Sequence, residues 1–399
     1  MQQVDAVIIG GGLAGCATAF YLARGGARVA LLEKHQLNNG ASGQNAGSLH
    51  FQLEYRLIEH ADELGEQLDF YVALARSAID DWRTLPQALD DEIELAMHGG
   101  LMLAETDADL ARLEKKAAIE ARQGLSVEML DGAGARRLAP YLADHVRGAL
   151  LCPDEGHCNP RLLTAAYAAA ARRSGALIMT GAQVVSLSRD SAGWQVQARR
   201  DADGETLAFR AETVINTAGA WAANIGRLAN IHLPVFPVAL TMSVTEKLPP
   251  VLHHLIQHVG RKLSMKQVED GNLLIGGGWS ARLQREGDGW SEGLRAGVDL
   301  ASLRGNLATA AAVVPAVREL ALLRTWTGTT GITPDQLPII GEVAQAPGFY
   351  VATGGSGFTY GPTYARLLSE KILTGHSSLP LTPYSPDRFN HMNMFMGQT

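Results

Sequence analysis

Gly10-Gly11-Gly12-Leu13-Ala14-Gly15 places three glycines in the pattern G-x-G-x-x-G, and Glu33 closes the next apolar run. Residues of these types at this spacing can bind a dinucleotide. Gly10 permits a tight turn, Gly12 lets backbone approach a pyrophosphate, and Gly15 allows a helix to pack closely on a strand. A helix opening at Leu13 and Ala14 offers free N–H groups and about half a positive charge to the phosphates. Glu33, followed by Lys34, can accept hydrogen bonds from both ribose hydroxyls, which excludes a 2′-phosphate and argues against NADP. The motif alone leaves NAD and FAD open. A second glycine block, Gly354-Gly355-Ser356-Gly357-Phe358-Thr359, lies near the other end of the chain. Cys152, His157 and Cys158 invite a metal reading, but zinc takes four ligands in recognised spacings and a second pair is missing. They read as core or loop residues. His253, His254 and His258 fall in a polar stretch and read as solvated.

These residues need elements to hold them. Val4 to Ile9 is a short β-branched run, as a buried parallel strand should be. A small-residue helix from Cys16 to about Arg24 ends at Gly25-Gly26, and Arg28 to Leu32 forms a second strand, completing a βαβ unit. Leu53 to about Leu89 has apolar residues at spacings of three and four, and the charged segment Asp107 to Arg122 reads as a surface helix. An Ala-rich helix over Arg161–Arg173 precedes strands near Gln183–Leu187 and Trp194–Ala198, with Asp201–Gly204 as a hairpin turn. Thr213 to Asn216 is a further strand, and Leu233 to Trp279 reads as β-rich. The second glycine block follows the strand Phe349–Ala352 and opens a helix over Pro362–Leu373. Strand–glycine–helix crossovers at both ends predict a discontinuous nucleotide domain with other segments inserted.

Composition bounds the rest. The chain has 399 residues, a 46% apolar fraction and a net charge of −7, which suits a large-cored enzyme of two or three units. No basic run suggests nucleic acid. Three cysteines cannot make a disulfide framework, so a reducing, cytoplasmic setting is expected, with peripheral membrane contact left open. Val4 to Ala23 approaches bilayer-spanning length but contains Asp5 and a glycine cluster, and no basic n-region precedes it. No membrane span is expected.

Further motifs run along the chain: Ala41-Ser42-Gly43-Gln44-Asn45-Ala46-Gly47, Pro153-Asp154-Glu155-Gly156-His157 leading to Asn159-Pro160-Arg161, and Asn216-Thr217-Ala218-Gly219-Ala220-Trp221. Thr333-Pro334-Asp335 with Leu337-Pro338-Ile339-Ile340-Gly341 follows, before the last glycine block. Together they resemble the D-amino-acid-oxidase-like family of FAD-dependent amine oxidoreductases. Ser264-x-x-Gln267 before Asp270-Gly271-Asn272 is similar, more narrowly, to the flavin subunits of heteromeric sarcosine oxidase and proline, hydroxyproline or opine dehydrogenases. The resemblance implies an α/β fold: a Rossmann-like FAD domain from 1–85, 148–225 and 322–385, a β-rich α+β substrate domain from 86–147 and 226–321, and a tail at 386–399. It implies that Ser42, Gln44, Asn45, Ala46 and Gly47 lie along the pyrophosphate and flavin, that Val185 offers backbone to the adenine, and that Ala218, Gly219 and Gly328 also meet the cofactor. Residues Gly354, Gly355, Ser356, Gly357, Phe358 and Thr359 would bring N–H groups to the pyrimidine edge of the flavin.

The departures are informative. Thr330 stands where an Arg often holds the substrate carboxylate, Thr359 where others carry Lys, and Ser48 near the place of an early Arg. No Cys lies in the flavin loops, so the FAD is expected to be non-covalent. The substrate-pocket candidates are His50, Lys266, Gln267, Trp326, Thr330 and Tyr360, with no obligatory catalytic residue and no metal. Trp279 and Trp326 read equally as core or as pocket wall. The implied activity is oxidation of the C–N bond of an amino acid or N-substituted amino acid, by hydride transfer to flavin N5. The chain would be the catalytic flavin subunit of a heteromeric dehydrogenase, with partner subunits carrying FAD, iron–sulfur or FMN, the last at an interface. The alternatives are a stand-alone glycine or D-amino-acid oxidase making peroxide, a non-catalytic FAD-binding relay subunit, and a 2-hydroxy-acid or glycerol-phosphate dehydrogenase on the same fold.

Overall fold

A computed structural model of the chain describes residues 1–286, 289–290 and 296–390. Two sheets form its frame. The first has six strands in the order Ile339–Glu342, Phe349–Thr353, Thr213–Asn216, Ala6–Ile9, Val29–Leu32 and Leu177–Met179. All neighbours pair in parallel except the first two. Every residue of Ala6–Ile9 and Val29–Leu32 is buried, because helices cover one face of the sheet and the strands of 182–211 cover the other. The helix Leu13–Arg24 packs against the helices Pro160–Arg173 and Gly361–Thr374. Its alanines make that close approach possible, while Gly15 faces the turn at Gly10 and Thr217. A Cβ at Gly15 would stand 1.9 Å from the Gly10 carbonyl oxygen, so the position accepts glycine only.

The second sheet has eight strands, in the order Leu322–Ile332, Phe236–Lys247, Asn272–Gly276, Ser264–Gln267, Leu255–His258, Gly100–Ala104, Gly148–Cys152 and Glu128–Asp131. A separate meander, Ala182–Asp190, Gly193–Arg200 and Thr206–Ala211, turns at 201–204. Mixed α/β architecture is thus the fold class. Gly148–Cys152 and Leu322–Ile332, which open two of the expected FAD-domain segments, pair within the eight-stranded sheet. Pro386–Phe389 is a 3-10 turn docked by Arg388, which donates to both carboxylate oxygens of Asp335 (2.8 and 3.0 Å); tail residues beyond 390 lie outside the described region.

Three local expectations need correction. Leu53–Leu89 is not one helix: Tyr55–Glu59, Ala61–Leu64 and Gln67–Leu89 are separated at His60 and at Gly65, whose φ is +51°. The helix Asp107–Arg122 has one polar face turned inward, where Lys116 and Glu120 are both fully buried and paired at 2.8 Å. His258 is buried at a strand end, its Nδ1 accepting from Gly260 N (2.9 Å), rather than solvated. Periodicity of apolar residues does not report buried ion pairs. Among the described residues no helix is long and apolar enough to cross a membrane.

Candidate active site

The carboxyl ends of Ala6–Ile9, Val29–Leu32, Thr213–Asn216 and Phe349–Thr353 open into one cavity of about 1030 Å³, whose far wall is the eight-stranded sheet. Parallel sheets bind ligands at this place because the strand-to-helix turns expose backbone N–H groups there. Gly10 holds φ +112°, a conformation open only to glycine, and turns the chain into the helix at Leu13. Ser42 Oγ accepts from Leu13 N (2.9 Å) and so fixes the Ala41–Gln44 turn over that helix start. Glu33 lines the cavity with its carboxylate held by Gly11 N (2.6 Å) and His35 N (2.8 Å). Lys34 Nζ lies 5.0 Å over the Trp221 ring. Val185 lines the same end, at a bulge in the Ala182–Asp190 strand.

The opposite end is built by two loops that meet. Ser356 Oγ donates to Glu54 Oε1 (2.9 Å) and shares a hydrogen bond with the Tyr71 hydroxyl (3.0 Å). Thr359 receives Trp82 Nε1 on its carbonyl (2.7 Å) and His50 N on its hydroxyl (3.3 Å). His50 Nε2 and Ser264 Oγ lie 3.0 Å apart. Leu240, Met242, Ser264, Gly276 and Thr330 complete a chamber roofed by the turn carrying Arg261 and Lys262.

The cavity brings together Gly10, Gly12, Leu13, Ala14, Glu33, Lys34, Ser42, Gln44, Asn45, Ala46, Val185, Ala218, Gly219, Gly328 and the whole run 354–359. Of the pocket candidates, only His50 and Thr330 reach its lining. Gly15 and Gly47 lie behind it; a Cβ on Gly47 would stand 2.0 Å from the Cys158 carbonyl oxygen. Trp326 is a wall support, donating Nε1 to Gln44 O (2.7 Å). Tyr360 is buried, its hydroxyl donating to His50 O (3.2 Å).

Gln267 is a turn clamp, not a pocket residue. Its oxygen accepts from Val251 N and Leu252 N, and its nitrogen donates to Leu248, Pro249 and Gly271 carbonyls. Lys266, on the other face of that strand, donates to Ala46 O and Ser48 Oγ from behind the wall. Burial holds its ammonium well below the usual lysine range. Nearby His157 is pushed down to about 3 by burial, with the Lys266 charge adding to it. Cys152 and Cys158 are core residues, and no group of three His, Cys, Asp or Glu among the described residues is placed to hold a metal.

Sequence reasoning missed Glu54, Gln257, Arg261 and Lys262, all in the cavity lining. Arg261 is ion-paired with Glu105 (2.5 Å), and Lys262 Nζ lies 5.8 Å from the Trp279 ring centre. The usable signal was an adjacent Arg-Lys at the tip of a hairpin, legible only once the strands on either side are known.

A nucleotide-sized cradle, an acid for a ribose and a second chamber define a dinucleotide-dependent enzyme site. FAD fits it: Gly10, Gly12 and Glu33 lie at one end of a cavity of about 1030 Å³, and added Cβ atoms at the lining Gly219 and Gly278 would point into open space. Residues 5–371 match the family described as FAD dependent oxidoreductase (DAO), and the chain belongs to that family. It is 28% identical to glycine oxidase of Geobacillus kaustophilus over 392 residues, covering 97% of each chain. The crystal structure of glycine oxidase from that organism superposes with a TM-score of 0.81, covering 97% and 99% of the two chains at 26% identity. Mitochondrial dimethylglycine dehydrogenase of Homo sapiens is 26% identical over 407 residues; the match takes in 97% of this chain and only 44% of that protein. The chain thus spans less than half the length of that relative.

Proposed function

We propose that the chain oxidises the C–N bond of an amino acid or N-substituted amino acid such as sarcosine, a proline-like amine or an opine. The observation that carries this reading is the continuity of the cavity, from the Glu33 end to an end lined by His50, Leu240, Met242, Ser264, Arg261 and Lys262. The 97% mutual coverage with a glycine oxidase supports the same chemistry.

Bound FAD would supply a two-electron acceptor for the hydrogen and bonding pair of the substrate α-carbon, leaving an iminium ion that water converts to a carbonyl compound and a protonated amine. The protein must orient and desolvate. In this reading Arg261 and Lys262 take the substrate carboxylate in place of the Arg that Thr330 replaces. Leu240 and Met242 hold the side chain, and His50, backed by Ser264, borders the reacting carbon. The free amine is the reactive form, so no strong base is required; placing the C–H bond correctly supplies most of the acceleration. The run 354–359, which leads into the helix Gly361–Thr374, would present backbone N–H groups to negative charge developing on the ring.

For the electron acceptor, we favour partner subunits carrying FAD, FMN or iron–sulfur, because the Ser264–Gln267 stretch resembles flavin subunits of heteromeric dehydrogenases. The full-length match to glycine oxidase favours the second reading, a stand-alone oxidase producing peroxide. Anaerobic mixing of the FAD-loaded chain with sarcosine, proline, hydroxyproline, D-amino acids and opines tests the chemistry, read as loss of flavin absorbance near ~450 nm. One bleaching compound names the substrate class. No bleaching by any of them refutes amine oxidation. Robust peroxide formation by the isolated chain on readmission of air rejects the heteromeric reading.

A further inference from the structure

Four successive amides, running inward from the cavity-lining His50, are each met by a side chain. His50 N donates to Thr359 Oγ1 (3.3 Å), Phe51 N and Gln52 N to Glu155 Oε1 (2.9 Å each), and Leu53 N to Glu120 Oε1 (2.6 Å). The segment lies between the short strand Ser48–Leu49 and the helix at Tyr55, outside any sheet, so these side chains do the work of a ladder. The second oxygen of Glu155 accepts from Gln52 Nε2 (2.9 Å) and from Gln257 Nε2 (3.2 Å). Gln257 belongs to the strand Leu255–His258 and lines the cavity. Gly100 leaves room for the carboxylate: a Cβ there would stand 1.9 Å from Glu155 Oε2. One fully buried carboxylate therefore ties two walls of the chamber together without lining it.

We infer that Glu155 is a positioning residue whose ionised form locks the His50–Leu53 segment to the Gln257 strand and so sets the shape of the substrate chamber. This rests on the reading that the chamber takes the substrate. An ionised carboxylate only accepts hydrogen bonds, which suits four donors; a protonated one must turn an O–H toward one of them. Gln52 cannot reverse its amide to receive that proton, because Lys116 Nζ holds its oxygen (2.7 Å). Gln257 is the partner that must reverse its amide or give up its bond, so the tie to its strand is the one that weakens.

Burial pushes the Glu155 carboxyl up to about 7, the Gln52 and Lys116 contacts opposing and Glu120 adding to it. Facing it are Lys116 and Glu120 from the helix Asp107–Arg122 and Cys152 and Asp154 from its own turn; His50 and His258 flank the two tied segments. The proton is bound below about 7, so the lock holds above that pH and loosens below it.

The test compares wild type with E155Q, both FAD-loaded, by hydrogen-exchange mass spectrometry at pH 6 and pH 8, corrected for intrinsic rates. Binding of cyclopentanecarboxylate, which has no amine to titrate, is measured in parallel by calorimetry. In the wild type, peptides covering 50–53 and 255–258 are expected to be better protected at pH 8. In E155Q both exchange about tenfold faster than in the wild type at pH 8 and much as in the wild type at pH 6, and probe affinity at pH 8 falls about tenfold, the scale of one lost charge-assisted bond. Helix Leu13–Arg24 stays protected in both. Equal exchange in E155Q and wild type at pH 8, or a response confined to 50–53, overturns the inference. If E155Q does not fold, Q257L decides: it frees the strand alone if the lock exists and changes nothing if it does not. Failure of the amine panel with these exchange results intact rejects the substrate reading but not the lock.

Discussion

Replacing Lys116 by Met isolates one buried charge. Lys116 Nζ donates to Glu120 Oε2 (2.8 Å) and Gln52 Oε1 (2.7 Å), and both ionic side chains are fully buried. Removing one partner of such a pair costs about 3–5 kcal/mol, because the other charge is left unpaired in a low-dielectric interior. Glu120, whose carboxyl burial already holds above its ordinary 4.5, can escape by taking up a proton. That escape costs about 1.4 kcal/mol for each pH unit above the ordinary value, so about 4–5 kcal/mol at pH 8 and about 1–2 at pH 5.5. A carboxyl held high in the folded state favours folding at low pH and loses that contribution as pH rises, so the K116M deficit grows with pH. Adding E120Q removes the charge while its amide oxygen still accepts from Leu53 N, and should restore about 2–3 kcal/mol at pH 8. Urea unfolding of the FAD-loaded protein at both pH values measures this. A K116M deficit equal at pH 5.5 and pH 8, or a double variant no more stable than K116M, would refute the argument.

Three further outcomes are expected. G15A drives a methyl into the Gly10 carbonyl and toward Thr217 Oγ1 (2.7 Å), so the purified chain should carry less than about a tenth of wild-type flavin, read from its absorbance ratio. Q267A removes contacts to five backbone groups and should lower stability by about 2–3 kcal/mol, while kcat/KM of the folded fraction stays within about twofold; a large loss of kcat/KM would return Gln267 to the pocket. R261Q and K262Q should each raise KM for a carboxylate substrate about tenfold or more and leave flavin content unchanged, and unaltered KM in both would move the carboxylate elsewhere.

The two ends of the cavity differ in how far the sequence discloses them. Gly10, Gly15 and Glu33 are legible because backbone sterics and phosphate chemistry demand those residue types at that spacing. The substrate end depends on which face of a strand each residue presents. Lys266 and Gln267 are neighbours, so pleating sends them to opposite faces, and neither reaches the lining. Trp326 and Tyr360 hold the backbones of Gln44 and His50 and act one layer out. Arg261 and Lys262 owe their place to a hairpin whose register is invisible without the sheet. The helix Asp107–Arg122 is correctly bounded yet misread as solvent-facing, since a paired buried Lys and Glu look like surface charge in a sequence.

The six-stranded sheet places Phe349–Thr353 beside Thr213–Asn216, one strand from Ala6–Ile9, so the first and last glycine turns share one mouth. On a ribosome adding ~5–20 residues per second, the opening βαβ unit therefore waits roughly 15–60 s for the segment that completes its ligand site. During synthesis the nascent chain at first has half a cradle. Cofactor capture waits until the segment Phe349–Thr374 has been made and has paired, and flavin content becomes a gauge of how much of each preparation reached its final fold.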